Sequence, residues 1–134
     1  MDEIDQKILE ELRQDSSLTN KEIGEKIHLT GQAVGNRISK LQESGAIRRY
    51  TIEVTYEHTQ FIRVFMNTNN FQPFEQFANS FKEVSSIYKV SGQACYMLVA
   101  HFTEKPLKDF IEALSKWARY SVEVVIADKT DKHK

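Results

Sequence analysis

The residues best suited to chemistry in this sequence are polar side chains repeated along residues 30–43. Gln32, Asn36 and Ser39 recur at spacings that place them on one side of a helix. Gln and Asn side chains form bidentate hydrogen bonds with adenine, and Ser bonds to several bases, so such a face suits the reading of DNA sequence. The solvated face of an ordinary amphipathic helix has the same composition, so the pattern alone leaves both interpretations open.

The distribution of charge favours the DNA-binding interpretation. The chain has 18 Lys and Arg residues against 19 Asp and Glu residues, a net charge of −1. Residues 1–25 contain three basic and eight acidic residues, whereas residues 26–50 contain five basic residues and one acid, net charges of −5 and +4. Phosphate binding requires a local basic surface, which the second segment supplies. The expected phosphate contacts are Thr30, Arg37, Lys40, Arg48 and Arg49.

Two short helices joined by a tight turn are predicted to position these side chains. Thr19 is followed three residues later by Glu22, the pattern of a capping box at a helix start. Thr30 suits the start of a second helix, and only His28 and Leu29 separate the two. Helices at this spacing form a helix-turn-helix, of which the second helix reads DNA in DNA-binding proteins.

The surrounding segments complete a small domain. Residues 2–14 predict a first, acidic helix that faces away from DNA, and Gly45 suits the end of the second helix of the pair. Residues 46–54 alternate in part and predict a strand, which makes the domain winged. Gly35 costs about 1 kcal/mol relative to Ala inside a helix, so we interpret it as allowing close approach to DNA. The expected core residues of the second helix are Val34, Ile38 and Leu41.

The second half predicts four strands and two helices in the order β-α-β-β-α-β. The strands are expected at residues 61–66, 87–91, 96–102 and 122–127. A helix with an aromatic face lies between the first two strands, and Pro106 opens another after the third. This order is the ferredoxin-like arrangement, so the whole chain is predicted to be α+β.

One face of that sheet is expected to bind a second copy of the chain. Both helices pack on the opposite face, yet the third strand is apolar on both of its sides. An exposed apolar face of this kind marks an interaction surface, and a two-fold homodimer is the simplest solution. The predicted dimer interface consists of Tyr96, Met97, Leu98 and Val99.

The sequence gives weak signals for catalysis, metals and membranes. The histidines at positions 28, 58, 101 and 133 have no metal-ligand spacing, and His101 on a strand is interpreted as structural. The single cysteine, Cys95, is expected to be a small buried hydrophobe in a reducing compartment. The chain contains neither an apolar run long enough to span a membrane nor a signal peptide. We therefore expect a cytoplasmic protein without enzymatic activity or cofactor.

The first half resembles the DNA-binding half of the Lrp/AsnC (leucine-responsive, feast/famine) transcription regulators in the segments IDQKILEEL, SLTNKEIGEKIHL and RISKLQESGAIRRY. The second half resembles their effector-sensing RAM domain in FEQFANSFKEVSSIYKVSG and YMLVAHF. The resemblance implies a DNA-binding domain at residues 1–54, a linker at 55–60 and a sensing and dimerisation domain at 61–134. It also implies binding of double-stranded DNA, dimers that often assemble further into octamers, and a small-molecule effector.

The chain departs from the family at the loop expected to bind the effector. The family commonly has a pattern like GDYDY there, whereas this chain has Gly92, Gln93, Ala94, Cys95 and Tyr96. The resemblance gives Gly92, Gln93 and Cys95 as the effector-binding residues, but both acidic positions are lost. A carboxylate is the natural partner of an ammonium group, so free amino acids are expected to bind poorly. Glu123 or Asp128 could replace the missing acids.

Two alternative functions remain open from the sequence. Siroheme decarboxylases resemble this same two-part architecture and bind a tetrapyrrole, so an enzyme is the first alternative. An architectural protein that compacts DNA is the second, and it would lack strong preference for one DNA sequence. A colourless purified protein that binds duplex DNA would argue against the enzyme.

Overall fold

The computed structural model describes residues 1–131, so His133 lies outside the described residues. The chain divides into two compact units, one spanning Met1–Glu53 and the other beginning at Val54. Each is described by itself below. In the part that the structure describes, no helix is both long enough and apolar enough to cross a membrane.

The first unit contains three helices, and each begins at a capping residue. These are α1 (Glu3–Gln14), α2 (Asn20–Ile27) and α3 (Gly31–Glu43). The Thr19 hydroxyl accepts the Glu22 N–H at 3.1 Å, and the Glu22 carboxylate accepts the Thr19 N–H at 2.9 Å, which confirms the capping box. The Thr30 hydroxyl accepts the Ala33 N–H at 3.1 Å at the start of α3. The buried core of the unit is Ile8, Ile23, Val34, Ile38 and Leu41.

The turn between α2 and α3 is tight because α2 carries a glycine where the chain passes closest. A Cβ atom placed on Gly24 would lie 2.2 Å from the Leu29 carbonyl oxygen, a distance that no side chain tolerates. His28 ends α2 in the left-handed conformation with φ of +64°. Such a backbone is uncommon outside glycine, and here it reverses the chain within two residues. The direction of α3 is therefore set by backbone contact with α2.

An ion pair connects the start of α1 to α3. The Arg37 guanidinium donates to both carboxylate oxygens of Asp2 at 2.7 Å and to Asp5 at 3.2 Å. The hydrogen bond from Arg37 is the largest of the influences that lower the pKa of Asp2 to about 2. These ion pairs hold the first turn of α1 against α3.

The second unit has the predicted β-α-β-β-α-β order. Its elements are β1 (Gln60–Met66), α4 (Phe71–Asn79), β2 (Val84–Lys89), β3 (Tyr96–Ala100), α5 (Glu104–Leu114) and β4 (Ala118–Val124). The sheet order is β2-β3-β1-β4 with every neighbouring pair antiparallel. This confirms the ferredoxin-like arrangement.

The helices α4 and α5 cover one face of the sheet. Strand positions that alternate along β1 and β3 enter one core with them, and that core consists of Ile62, Val64, Phe74, Ala78, Tyr96, Leu98, Ala100, Phe102, Phe110, Leu114 and Ala118. The Gln60 side chain is buried beside it and exchanges two 2.9 Å hydrogen bonds with the main chain of Phe102. The other positions of β1 and β3 form the open face, and they include Phe61, Arg63, Phe65, Met97 and Val99.

The predicted dimer interface is therefore half wrong. Tyr96 and Leu98 are 1% and 0% exposed and lie in the core beneath the helices. Met97 and Val99 are half-buried and lie on the open face. Neighbouring residues of a strand point to opposite faces, so only one of the two pairs can meet a partner.

Two strands begin earlier than predicted because pairing decides their position. β2 was expected at 87–91, but it pairs with β3 from Val84 opposite Ala100 to Lys89 opposite Tyr96. β4 was expected at 122–127, but it pairs with β1 from Ala118 opposite Met66 onward. β3 itself ends at Ala100, two residues before the predicted end.

The strand predicted at residues 46–54 is absent from the described structure. Ile47 packs against the core of the first unit, but Tyr50, Ile52 and Val54 are 49%, 79% and 52% exposed. The apolar alternation is present, but a strand also requires a neighbouring backbone to bond with. Among residues 1–131, no other strand pairs with this segment.

The Asp2 to Arg37 pair predicts a specific pH dependence of stability. A carboxylate whose pKa is lowered from 3.8 to about 2 stabilises the fold fully above pH 3.8 and loses that contribution as the pH falls towards 2. We expect Asp2→Asn to lower the melting temperature at pH 7 and the difference from the original protein to vanish near pH 2. Glu10→Gln, an exposed change on the same helix, is the control, and calorimetric melting across pH 2–7 is the measurement. A pH-independent difference would contradict this interpretation.

Candidate nucleic-acid interface

The predicted base-reading side chains lie on the exposed face of α3. Gln32, Asn36 and Ser39 are exposed, as is Lys40. Val34, Ile38 and Leu41 fix this orientation because they are buried on the opposite side of the helix. Among the residues that the structure describes, none forms a hydrogen bond or ion pair with the four exposed side chains. The helix therefore presents a polar face whose side chains remain available to a ligand.

Gly35 has a partner within the same unit. A Cβ atom at this position would lie 3.0 Å from the Asn20 side-chain nitrogen at the start of α2. The contact is with the end of an exposed side chain, so Gly35 leaves room for the Asn20 amide, and its approach to DNA stays a prediction. The sequence does not predict this contact, because it does not show towards which helix the Asn20 side chain points.

The five predicted phosphate contacts separate into two groups. Thr30 and Arg37 have partners within the chain: the Thr30 hydroxyl caps α3, and the Arg37 guanidinium is held by Asp2 and Asp5. Lys40, Arg48 and Arg49 are exposed and form no ion pair with any described carboxylate. Three cations on α3 and the segment after it are thus available to an anionic ligand.

Arg48 and Arg49 border a groove of about 710 Å³ in the first unit. The walls also include Leu9 and Leu12 of α1 and Ile52 of the extended segment. The groove is therefore lined partly by apolar side chains and partly by Arg48 and Arg49. The sequence showed the arginines but gave no sign of the groove.

The predicted effector loop follows β2 in the second unit. Gly92 has φ of +110° and open space where a side chain would lie, so the turn requires a glycine. The Cys95 N–H donates to the Val64 carbonyl at 2.8 Å, and the Cys95 carbonyl accepts the Val90 N–H at 3.0 Å. The Cys95 side chain is half-buried against the core, as predicted for a small hydrophobe.

The two acids expected to replace the lost carboxylates have other partners. Glu123 lies 3.4 Å from the Arg63 guanidinium on the open face. Asp128 accepts the Thr130 N–H at 2.8 Å. Neither contact involves the loop residues Gly92 or Gln93.

A different carboxylate, which sequence analysis missed, lies beside the first residue of β3. The Tyr96 hydroxyl donates to a Glu75 carboxylate oxygen at 2.5 Å. Burial is the main cause that raises the pKa of Tyr96 above its usual range, and the hydrogen bond to Glu75 adds to it. Nearby, the Lys89 ammonium lies 4.1 Å from the centre of the Phe71 ring.

The environment of His101 agrees with a structural role. Its ring stacks on Tyr56 with 3.5 Å between the ring centres. One ring nitrogen lies 3.1 Å from the Thr59 hydroxyl, and the other lies 2.9 Å from the Ser85 hydroxyl. Within the described residues, no group of three or more His, Cys, Asp or Glu side chains could hold a metal ion.

Comparison with known protein families gives two matches in the order of the two units. The AsnC-type helix-turn-helix domain matches residues 1–42, and the Lrp/AsnC ligand binding domain matches residues 59–127. The second match alone covers more than half of the chain.

Individual relatives give the same result over the whole length. The chain is 37% identical to the HTH-type transcriptional regulator LrpB of Bacillus subtilis over 96% of this chain and 90% of LrpB. It is 38% identical to LrpA of the same organism over 94% of this chain and 98% of LrpA. The solved structure of B. subtilis LrpC matches with a TM-score of 0.90 at 28% identity, over 98% of this chain and 99% of that one. The chain therefore belongs to the Lrp/AsnC family of helix-turn-helix transcription regulators.

Proposed function

We propose that this regulator reads double-stranded DNA with the exposed face of α3 in the major groove. Gln32, Asn36 and Ser39 contact base edges in this proposal, and Lys40, Arg48 and Arg49 contact phosphates. The observation that carries it is the polar face of α3, which has no partner among the described residues although it lies on a helix fixed by its buried side. Arg37 is left out because Asp2 and Asp5 already hold it.

The proposed division of labour keeps the predicted domains: residues 1–54 bind DNA, and residues 61–134 sense a small molecule and bind a second copy. Of the linker predicted at 55–60, Gln60 is the first residue of β1. A structural relative from Neisseria meningitidis, 23% identical with a TM-score of 0.87, was solved as a complex with L-Met, which supports a small molecule as effector. We place this function in the cytoplasm, where transcription regulators meet DNA.

The open face of the sheet supports a homodimer. Phe61 is 40% exposed there, and Phe65, Met97 and Val99 are half-buried beside it. Arg63 on this face is paired with Glu123 at 3.4 Å, and the Arg119 guanidinium lies over the Phe65 ring. A second copy would bury these residues sheet against sheet around a two-fold axis. Further assembly of dimers into an octamer is part of the same proposal.

The extended segment after α3 supports a second contact between copies. Tyr50, Ile52 and Val54 recur with a period of two, and each is about half or more exposed. An exposed, extended segment is a template for strand pairing. Antiparallel pairing of this segment with its counterpart in a second copy would form the strand that the sequence predicts.

The alternatives are less well supported. The relatives of 37% and 38% identity are named as transcription regulators, which favours DNA binding over the siroheme-decarboxylase-like enzyme. An architectural protein would need only the cations, whereas the polar face of α3 carries the side-chain types that distinguish bases. Sequence preference is therefore the property that separates a specific regulator from a compacting protein.

The division between base and phosphate contacts is testable with two substitutions. Asn36→Ala should remove about 1–3 kcal/mol of discrimination at one base pair and leave binding to random DNA nearly unchanged. Arg49→Ala should weaken binding to all DNA and reduce the slope of log affinity against log salt concentration by about 1. Fluorescence anisotropy with a selected site and a scrambled site, at several salt concentrations, measures both effects.

Lys116→Ala is the matched control, because it removes an exposed charge from the second unit. It should change neither affinity nor the salt slope. Equal losses on both DNA sites for Asn36→Ala would show that this side chain does not read a base.

The homodimer is testable with one charge on the open face. Val99→Asp should leave a folded monomer, since burying a carboxylate without a partner in a sheet-to-sheet contact is costly. Leu98 is unsuitable because it is fully buried in the chain's own core. Sedimentation equilibrium of the full chain at micromolar concentration is the measurement, with circular dichroism as the check of folding. Gln76→Asp, an exposed change on α4, should leave the dimer intact; an unchanged dimer for Val99→Asp would rule out the proposed face.

A further inference from the structure

The groove of the first unit combines apolar walls with guanidinium groups. Its volume of about 710 Å³ lies within the range of small-molecule sites, roughly 300–1,000 Å³. The apolar walls come from Leu9 and Leu12 of α1 and from Ile47 and Ile52 of the segment after α3. Leu9, Leu12 and Ile47 are half-buried, and Ile52 is 79% exposed. Part of this apolar surface is therefore open to a ligand.

The charged side chains along the groove are mainly cations. Three guanidinium groups line it, and they belong to Arg13, Arg48 and Arg49. All three are exposed, and none forms an ion pair with a carboxylate of the described residues. Two carboxylates, Asp15 and Glu53, line the same groove. Asp15 accepts the Ser17 N–H at 3.0 Å and the Ser17 O–H at 2.5 Å, so it is bonded within its own loop.

These walls match a ligand that has one anionic end and one apolar part. A guanidinium forms two parallel hydrogen bonds with a carboxylate, and such charged pairs are roughly twice as strong as neutral hydrogen bonds. An aliphatic chain against the leucines removes apolar surface from water. A small polar anion would leave the apolar walls in water, and a neutral hydrocarbon would leave the guanidinium groups without a partner.

We propose that this groove binds an aliphatic carboxylate. The chain of the ligand lies against Leu12 and Ile52, and its carboxylate accepts hydrogen bonds from Arg13 and from one of the two arginines after α3. The site lies within the first unit and uses none of the residues of the predicted effector loop.

A carboxylate bound here should oppose DNA binding, and this consequence rests on the proposed phosphate contacts of Arg48 and Arg49. A guanidinium that is held by the ligand is not available to a phosphate, and the added negative charge repels the DNA backbone. Phosphate contacts carry no sequence information, so the ligand should weaken binding to specific and to random DNA alike. The groove therefore regulates affinity and leaves base reading to α3.

Charge favours the small carboxylate over a second copy of the chain as the occupant of the groove. The extended segment of a second copy would bring its own Arg48 and Arg49 to a surface that already contains three guanidinium groups. Like charges that are brought together in this way repel each other. A carboxylate instead neutralises one of the cations.

Isothermal titration calorimetry of the full chain with octanoate, below its micelle-forming concentration, tests binding. Acetate has the charge without the chain, and octanol has the chain without the charge. Each should bind at least tenfold more weakly than octanoate, because each satisfies only one part of the groove. Absence of octanoate binding, or equal binding of octanol, would show that the proposal is wrong.

Two variants locate the bound octanoate. Arg13→Gln should lower octanoate affinity at least tenfold and leave DNA binding without octanoate unchanged, since Arg13 is not among the proposed DNA contacts. Ile52→Ser should also lower octanoate affinity, and it changes an exposed residue. Lys7→Gln, an exposed change on α1 outside the groove, is the control and should have no effect. Unchanged octanoate affinity in both groove variants would place the ligand elsewhere and overturn the proposal.

Fluorescence anisotropy with labelled DNA tests the competition, with acetate added in place of octanoate to keep the ionic strength constant. Octanoate should weaken binding to a selected site and to a scrambled site by the same factor, and Arg13→Gln should need at least tenfold more octanoate for the same effect. An equal effect of octanoate on Arg13→Gln and on the original protein would contradict the groove as its site.

The same measurements separate this inference from the proposed function and from the second copy as occupant. Absence of DNA binding without octanoate would reject the proposed function, whereas calorimetry would still report on the groove. If octanoate does not bind and Ile52→Ser converts a dimer to a monomer in sedimentation equilibrium, a second copy fills the groove and the carboxylate site is rejected.

Discussion

The close contact of α2 with the turn before α3 is the constraint on which the candidate DNA interface depends. Gly24 leaves no room for a side chain because the Leu29 carbonyl lies against it, and His28 adopts a left-handed backbone to complete the reversal. The absence of a side chain at Gly35 leaves room for the Asn20 amide at the start of α2. The turn fixes the orientation of α3 relative to α2, and the apolar side of α3 is buried, so Asn36 and its polar neighbours face solvent. A three-helix unit with few apolar residues can therefore hold the polar face of α3 in a fixed orientation.

The features set by local sequence could be predicted. The capping box of Thr19 and Glu22, the Thr30 cap and the burial of Val34 each follow from interactions between residues a few positions apart. In the second unit, the apolar sides of α4 and α5 are also local patterns. They therefore predicted the two helices and their places between the strands. These local rules were sufficient to identify the helix-turn-helix and the ferredoxin-like fold.

The features set by distant residues could not be predicted. Arg37 has the type and position of a phosphate contact, but Asp2, 35 residues away in sequence, holds it. Arg119 to Ser121 lack the apolar pattern of a strand, yet β4 includes them because β1 supplies a neighbouring backbone. Residues 46–54 have the apolar alternation of a strand, but no strand pairs with them among residues 1–131. In each case the sequence does not show which distant residue or strand lies beside the segment.

The most direct test of the account is a genome-wide map of DNA binding by the chain, compared with a variant in which Gln32, Asn36 and Ser39 are all replaced by Ala. The original protein should occupy a limited set of sites that share a two-fold symmetric sequence. The variant should lose those sites but retain weak, dispersed binding through Lys40, Arg48 and Arg49. Identical maps for the two proteins would contradict the assignment of sequence reading to the exposed face of α3.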